Sequence, residues 1–215
     1  MTKFINLHTH KFSNLSDVIE VVNQYPWEFD ASIPNYSIGI HPWYIDENRL
    51  ESELEIIKEK LQLSECLALG ECGLDKRIEI PLELQFSVFK KQLEIVKQTN
   101  KPIVLHCVAA YDEVIAIKKE MKIENPMIIH GFSKNEQVAK TLLNNGFYLS
   151  FGKYLLRNPD LEKVFTFAPE NQILLETDTI EESIYQVYKK AAFIKGISIE
   201  EMKAIIFNNF SRIFS

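Results

Sequence analysis

The chain has 215 residues, which fits one domain with a large core and lies near the lower limit for an eight-stranded α/β barrel. Its 46% hydrophobic and 25% charged residues are ordinary for a globular protein, and no apolar run approaches the roughly 20 residues of a membrane span. A formal net charge of −6 disfavours broad electrostatic binding of duplex nucleic acid, although bound metal ions could still attract a phosphate group.

Short apolar runs alternate with amphipathic stretches, a pattern typical of parallel strands joined by helical crossovers. The predicted strands are 4–8, 36–40, 66–71, 102–106, 126–130, 147–151 and 172–177. An eighth strand is expected in the β-branched segment 17–23, without a crossover helix before it. The same segment could equally form a short helix with its valines inward. The predicted fold class is α/β, a (β/α)8 TIM-type barrel, shortened or distorted between strands 1 and 3, in a single domain over residues 1–215.

Helical spacing of apolar residues follows most of these strands. The stripe after strand 66–71 consists of Leu82, Phe86, Phe89, Leu93 and Val96. The residues after strand 147–151 are predicted to form a polar loop containing Asn158-Pro159. A helix near 181–195 is expected to stop at Gly196. A final helix begins at Ser198, which has Glu201 at capping-box spacing.

The three cysteines, Cys66, Cys72 and Cys107, lie in or beside predicted strands. Their odd number favours buried small hydrophobes in a reducing compartment over a disulfide framework. The N-terminal sequence reaches His8 too soon for the apolar region of a signal peptide, which needs about 7–15 residues. We therefore expect a cytoplasmic protein without membrane association. The oligomeric state stays open, and a monomer is compatible with the sequence.

All five histidines and two carboxylates lie at or near the C-terminal ends of predicted strands. These residues are His8, His10, His41, Glu71, His106, His130 and Asp178. In a parallel barrel such strand ends converge on one rim, where barrel enzymes keep their chemistry. Imidazole and carboxylate groups gathered there predict a metal centre with enough ligands for two ions.

Local spacing supports this prediction at several positions. His8 and His10 are two residues apart, so on a strand both side chains point to the same side. Glu71 ends an apolar strand, where its desolvation requires a cation or hydrogen-bond donors, and a salt bridge is the alternative interpretation. His106 and His130 could each be a hydrogen-bonded core histidine. Their placement together with the other strand-end groups favours metal ligation instead.

Two positions remain ambiguous from spacing alone. Glu176 and Asp178 would lie on one side of an extended strand, so one is expected to bind metal and the other to support a ligand by hydrogen bonding. Asp178 is favoured as the ligand because it lies further towards the rim. His41, which precedes Pro42, could be a metal ligand, a substrate contact or a structural residue.

The motifs, in this order, resemble the TatD family of metal-dependent hydrolases in the amidohydrolase-like barrel superfamily. The likeness runs along nearly the whole chain. Its more specific strings are Gly70-Glu71-Cys72-Gly73-Leu74-Asp75 and Leu175-Glu176-Thr177-Asp178. Weaker matches are Leu7-His8-Thr9-His10, Gly39-Ile40-His41-Pro42, Leu105-His106, His130-Gly131-Phe132-Ser133 and Asn208-Asn209-Phe210.

The resemblance implies two divalent metal ions, for which Zn, Mn, Co, Ni and Mg are the candidates. The ligands implied for one ion are His8, His10, Asp178 and Glu71, and those for the other are Glu71, His106 and His130. Glu71 would thus bridge the ions, while His41 would face the substrate phosphate. Asp178, Glu71 and His41 are the catalytic candidates, with Asp178 accepting a proton from the attacking water. Family members are described as deoxyribonucleases, which implies a phosphoester substrate, with DNA as a candidate.

The chain departs from the family pattern at several positions. Val108 stands where an Arg usually follows the strand-five histidine, and Trp43 replaces a histidine often found after the Gly-x-His-Pro string. Asn6 stands in place of a common Asp, and region 11–35 is shorter than usual. The alternatives are therefore hydrolysis of another ester or an amide, and a non-catalytic barrel that only binds metal.

Overall fold

The computed structural model describes residues 2–215. Eight strands follow one another in chain order in an eight-stranded sheet. They are β1 Phe4–Thr9, β2 Val18–Gln24, β3 Tyr36–Ile38, β4 Cys66–Asp75, β5 Ile103–Val108, β6 Met127–Ile129, β7 Phe147–Phe151 and β8 Ile173–Leu175. The strand pairs β1–β2, β3–β4, β4–β5 and β7–β8 are parallel.

Helices occupy most of the connections between these strands. They are α1 Leu50–Lys60, α2 Leu82–Val96, α3 Tyr111–Glu120, α4 Glu136–Asn144, α5 Lys153–Arg157, α6 Asp160–Phe167, α7 Ile184–Lys195 and α8 Ile199–Ile213. Short 3-10 helices cover Pro26–Glu28, Pro42–Tyr44 and Glu170–Gln172. Within residues 2–215, none of these helices combines the length and the apolar character needed to cross a membrane.

The segment 17–23, which was open between strand and helix, is a strand. Val18, Ile19 and Glu20 of β2 pair in parallel with Phe4, Ile5 and Asn6 of β1. Most side chains of β2 are buried, so pairing and burial together decide in favour of the extended conformation. No helix lies between β1 and β2, as predicted for a barrel that is shortened between strands 1 and 3.

The loop predicted after β7 is wrong, because α5 and α6 occupy this stretch and are separated by Asn158 and Pro159. Asn158 has an extended conformation, with φ −118° and ψ 104°, as expected for a residue before proline. Leu155, Leu161, Val164 and Phe165 are buried. The proline thus interrupts the helical path and leaves two short amphipathic helices.

The chain divides into two compact units. The first unit comprises residues 2–22 and 128–215, where Thr9 of β1 bridges to Asp178 just after β8. The hydroxyl of Tyr188 on α7 accepts a hydrogen bond from the Ile5 N–H at 3.0 Å and donates one to the Ile5 carbonyl at 3.1 Å. These bonds attach α7 to β1 within the unit. The capping box of Ser198 and Glu201 begins α8, and Gly196 ends α7 with φ +67°, both as predicted. Helix α7 also begins with a capping box, formed by Ser183 and Gln186.

The second unit comprises residues 23–127 and is built around β4. This strand pairs with β3 on one side and β5 on the other, and α2 packs on it. Cys66, Cys72 and Cys107 are buried free thiols, which confirms that they act as small core residues. Strand β4 continues to Asp75, four residues beyond the predicted end, and this extension carries Gly73 and Asp75 alongside β5.

Gly73 is required where β4 and β5 approach closely. It has φ +141°, and a Cβ atom built on it would overlap the carbonyl oxygen of His106. We expect Gly73→Ala to destabilise the protein by about 3 kcal/mol, because the strands must separate and the backbone is strained. Thermal unfolding should then show a decrease in Tm of about 6–12 °C.

Gly196→Ala provides the matched control for this substitution. Gly196 also has positive φ, but an added Cβ would meet nothing within 4 Å. This variant should lose only about 1 kcal/mol from the left-handed conformation. Equal decreases in Tm for the two variants would contradict the close-approach explanation for Gly73.

Candidate metal centre

The first unit brings His8, His10 and Asp178 together. Asp178 Oδ1 lies 3.8 Å from His8 Nε2 and 3.5 Å from His10 Nε2. The donor atoms of the three residues all lie within 4.8 Å of one another. The two rings come from β1 and its end, as the two-residue spacing predicted, and meet edge to face at 5.1 Å.

Asp178 reaches this cluster through a backbone turn rather than along an extended strand. Strand β8 ends at Leu175, and Asp178 has φ +57°. Its N–H donates to the His8 carbonyl at 2.9 Å, and its carbonyl accepts from the His10 N–H at 3.2 Å. The strand therefore does not remain extended through Glu176 and Asp178, and the two side chains do not share one side of it. The two backbone hydrogen bonds hold Asp178 beside both histidines.

Glu176 contacts a different histidine of the same unit. Its side chain is fully buried, and Oε1 lies 3.4 Å from His130 Nδ1 and accepts the Gly131 N–H at 2.7 Å. Burial acts to raise the pKa of Glu176, but the adjacent His130 ring, the nearby His8 ring and the Ser150 hydroxyl keep it below its usual value. An ionised Glu176 would orient the His130 ring, as carboxylates behind metal-binding histidines do.

The second unit brings His41, Glu71 and His106 together. Glu71 is 3% exposed, and its Oε1 lies 3.1 Å from His41 Nε2 and 2.9 Å from His106 Nδ1. The N–H of Glu71 donates to Asn23 Oδ1 at 2.7 Å. The donor atoms of this cluster also lie within 4.8 Å of one another. Glu71 therefore places a buried carboxylate beside two imidazole rings at the point where the apolar run of β4 ends.

Asp75 and Trp43 lie behind His106, and the sequence analysis did not assign them a role. Asp75 Oδ2 lies 3.2 Å from His106 Nε2 and accepts the Trp43 Nε1–H at 2.8 Å. Burial acts to raise the pKa of Asp75, but hydrogen bonds from Trp43, the Arg77 N–H and His106 keep it below its usual value. Asp75 ends the Gly-Glu-Cys-Gly-Leu-Asp string, four residues after Glu71. On an extended strand, side chains four residues apart point to the same side, so this spacing was the signal that could have placed Asp75 near the site.

Hydrogen bonding determines which nitrogens of these histidines carry protons. His41 Nδ1 accepts the Trp43 backbone N–H at 3.0 Å, so the neutral ring carries its proton on Nε2, which faces Glu71. His106 Nε2 faces the ionised Asp75, which can only accept, so this nitrogen donates. In a neutral His106 ring, the Nδ1 lone pair would then face Glu71 Oε1. A cation next to both atoms would satisfy them.

The donor distances of the first-unit cluster fit a divalent ion. Two ligands at about 2.1 Å from a tetrahedral ion lie about 3.4 Å apart. The carboxylate–imidazole distances of 3.5–3.8 Å in the first unit are close to this value. They are too long for good hydrogen bonds, whereas a metal ion would use them fully. Mixed imidazole and carboxylate ligands suit transition metals better than magnesium.

Every predicted site residue therefore belongs to one of two clusters. The first-unit cluster contains His8, His10, His130 and Asp178, with the rings of His8 and His130 4.4 Å apart. The second-unit cluster contains His41, Glu71 and His106. The assignment of individual residues to two ions, with Glu71 as a bridge, stays a prediction.

Comparisons with known proteins show which family this chain resembles. The family described as TatD related DNase matches residues 1–215. An uncharacterized metal-dependent hydrolase of Bacillus subtilis, YabD, is 30% identical over 218 positions, which cover 93% of this chain and 82% of that protein. A putative deoxyribonuclease TATDN1 homolog of Enterocytozoon bieneusi is 34% identical, with 82% of this chain and 67% of that protein covered.

Solved structures share the fold. YjjV, a TatD homolog from Escherichia coli K12, has a TM-score of 0.84 at 21% identity and covers 99% of this chain and 98% of its own. A phosphotriesterase homology protein from Escherichia coli, solved with phosphate in its active site, has a TM-score of 0.75 at 13% identity, with coverage of 100% and 99%. These likenesses confirm the (β/α)8 barrel that the alternation of strands and helices predicted.

Proposed function

Because the chain belongs to the TatD family of metal-dependent hydrolases, we propose that it hydrolyses phosphodiester bonds with the help of divalent metal ions. The observation that carries the proposal is the pair of clusters of imidazole and carboxylate donors at strand ends. Each cluster has a buried carboxylate that orients one of its histidines, Glu176 for His130 and Asp75 for His106. Such support is typical of sites that hold catalytic metal ions.

An open groove on the first unit lies beside the residues that follow Asp178. Thr179, Ile180 and Gln186 line it together with two basic and two acidic side chains, Lys153, Arg157, Glu181 and Glu182. The Arg157 guanidinium is paired with Glu182 at 2.7 Å, so Lys153 is the basic side chain better able to contact a phosphate group. Because the charges of the groove balance, attraction of an anionic substrate would depend on metal ions bound at the first-unit cluster.

Metal ions bound at the donor sets would lower the pKa of water and neutralise negative charge on the reacting phosphate. His8, His10, Glu71, His106, His130 and Asp178 are the proposed ligands. Asp178 is also proposed to accept the proton of the attacking water, because its carboxylate is the most exposed of the acidic donors, at 24%. The Nε2 proton of His41 now faces Glu71, and once Glu71 acts as a ligand this proton could be donated to a nonbridging phosphate oxygen, since Nδ1 already accepts the Trp43 N–H.

A substrate panel tests this function directly. The purified protein, loaded with Mn²⁺ or Zn²⁺, should hydrolyse a chromogenic phosphodiester and an oligonucleotide faster than a carboxylic ester, a lactone or an amide. Treatment with a chelator should remove this turnover, and added metal should restore it, because the ligands require an ion for the chemistry.

Two results would contradict the proposal. Faster turnover of an amide or a lactone would favour another hydrolase of the same barrel. Metal-loaded protein without turnover on any of these classes would favour a barrel that only binds metal. The chelated protein is the control for hydrolysis by contaminating enzymes that need no metal.

A further inference from the structure

Trp43 is a large aromatic side chain that the proposed chemistry does not use. It is 52% exposed, although it lies on the short 3-10 helix Pro42–Tyr44 next to the second-unit cluster. Its ring centroid is 5.1 Å from that of His41 and 5.6 Å from that of His106. Core packing therefore does not account for this tryptophan, because half of it remains accessible beside candidate site residues.

The Trp43 ring is held in one orientation from its edge. Its Nε1–H donates to Asp75 Oδ2 at 2.8 Å, and Asp75 is itself buried and held by the Arg77 N–H at 2.9 Å. The backbone N–H of Trp43 donates to His41 Nδ1 at 3.0 Å. A ring anchored through its polar edge keeps its apolar surface available and loses little rotational freedom when a ligand binds.

We propose that Trp43 is a stacking platform for an unpaired nucleobase attached to the phosphodiester at the candidate metal centre. This inference rests on the phosphodiesterase function proposed above. Proteins that bind single-stranded nucleic acids place aromatic side chains beside the groove that holds the phosphates, and bases stack on them whichever base is present.

The arrangement favours a nucleobase over other groups attached to a phosphate. The accessible part of Trp43 is an aromatic surface whose only hydrogen-bond donor is already used by Asp75. A planar base can cover this flat surface more completely than a single deoxyribose or a small alkyl group, and each base attached to the phosphodiester has such a planar face. Base stacking of this kind changes affinity by about 5- to 150-fold per base.

Fluorescence tests the stacking directly. The chain has two tryptophans, so a Trp27→Phe variant reports on Trp43 alone. We expect a deoxynucleoside monophosphate to quench this fluorescence saturably in metal-loaded protein, and deoxyribose 5-phosphate to leave it unchanged. Equal effects of the two compounds would overturn the proposal, because the phosphate group alone would then explain binding.

Kinetic measurements distinguish base stacking on Trp43 from an indirect role in which Trp43 only positions Asp75. The substrates are a single-stranded oligonucleotide and an abasic strand with the same number of phosphates. Trp43→Leu should reduce the KM advantage of the base-bearing strand over the abasic strand at least about fivefold, whereas any loss that acts through Asp75 should affect both strands alike. Trp43→Phe keeps an aromatic surface but loses the N–H donor, so its KM preference for bases should largely remain. Phe193→Leu, at a 77% exposed aromatic residue on α7, is the matched control.

The outcomes distinguish this proposal from the proposed function. If Trp43→Leu changes both substrates equally, Trp43 only positions Asp75 and the stacking site is refuted, while phosphodiester hydrolysis stands. If the wild-type protein hydrolyses neither strand, the phosphodiesterase function fails, and the fluorescence result alone decides whether a base binds Trp43. Selective quenching by the nucleotide then supports the stacking site, and its absence refutes it.

Discussion

Replacing Glu71 with glutamine is expected to lower kcat/KM on a phosphodiester by about a thousandfold, which corresponds to about 4 kcal/mol of transition-state stabilisation. Glu71 Oε1 lies within 3.1 Å of nitrogens from both His41 and His106 and is 3% exposed. Glutamine keeps the shape of the side chain but removes its charge. Loss of a carboxylate supporting a ligand already costs 10- to 100-fold, so loss of a proposed direct ligand should cost more.

Glu53→Gln is the matched control for this experiment. Glu53 is also a buried glutamate of the second unit, but it lies on α1 and is paired with Arg49 at 2.7 Å. Elemental analysis of the purified variants should show a lower metal content for Glu71→Gln and an unchanged content for Glu53→Gln. Wild-type turnover of Glu71→Gln at equal metal load would refute the proposed role of Glu71.

Replacing Asp178 with asparagine is expected to lower kcat by about 100- to 10,000-fold, the range for loss of a general base. Asparagine is suited to this position because Asp178 has φ +57°, a conformation that Asn adopts more readily than most residues. The backbone hydrogen bonds with His8 and His10 should therefore persist. The variant removes the carboxylate charge without disturbing the turn that holds it.

Metal titration separates the two roles proposed for Asp178. If it acted only as a ligand, excess metal would restore kcat, whereas loss of the proton acceptor leaves kcat low at saturating metal. Glu176→Gln is the informative comparison, because Glu176 contacts His130 and should affect metal affinity by about 10- to 100-fold. Excess metal should restore its turnover. Asp17→Asn, at an exposed aspartate bonded to Tyr185, should behave like the wild-type protein.

Local sequence signals located most of the candidate residues. Each histidine and carboxylate of the two clusters follows a short apolar run, and such runs form buried strands because both faces of a parallel sheet are covered. The spacing of His8 and His10 was sufficient to predict that their rings meet on one side of β1. Motif order then identified the family, and the comparisons confirm it.

Features that depend on contacts between distant residues were not available from local patterns. Asp75 supports His106 only because β4 continues beside β5, and Trp43 reaches Asp75 from a different connection 32 residues away. The turn at Asp178 depends on backbone hydrogen bonds to His8 and His10, 170 and 168 positions earlier in the chain. The hydrophobic periodicity and the composition of a segment do not show which distant residues it will contact.

The amino-acid sequence by itself determined the alternation of strands and helices, the family and the residue types able to bind a metal, because burial patterns and strand-end chemistry are local properties. Only the tertiary structure decided that 17–23 is a strand, that Glu176 contacts His130 while Asp178 joins His8 and His10, and that the Trp43 ring stays accessible. Each of these outcomes depends on pairing and hydrogen bonding between segments far apart in the chain. Those interactions outweigh local preference when a position is ambiguous.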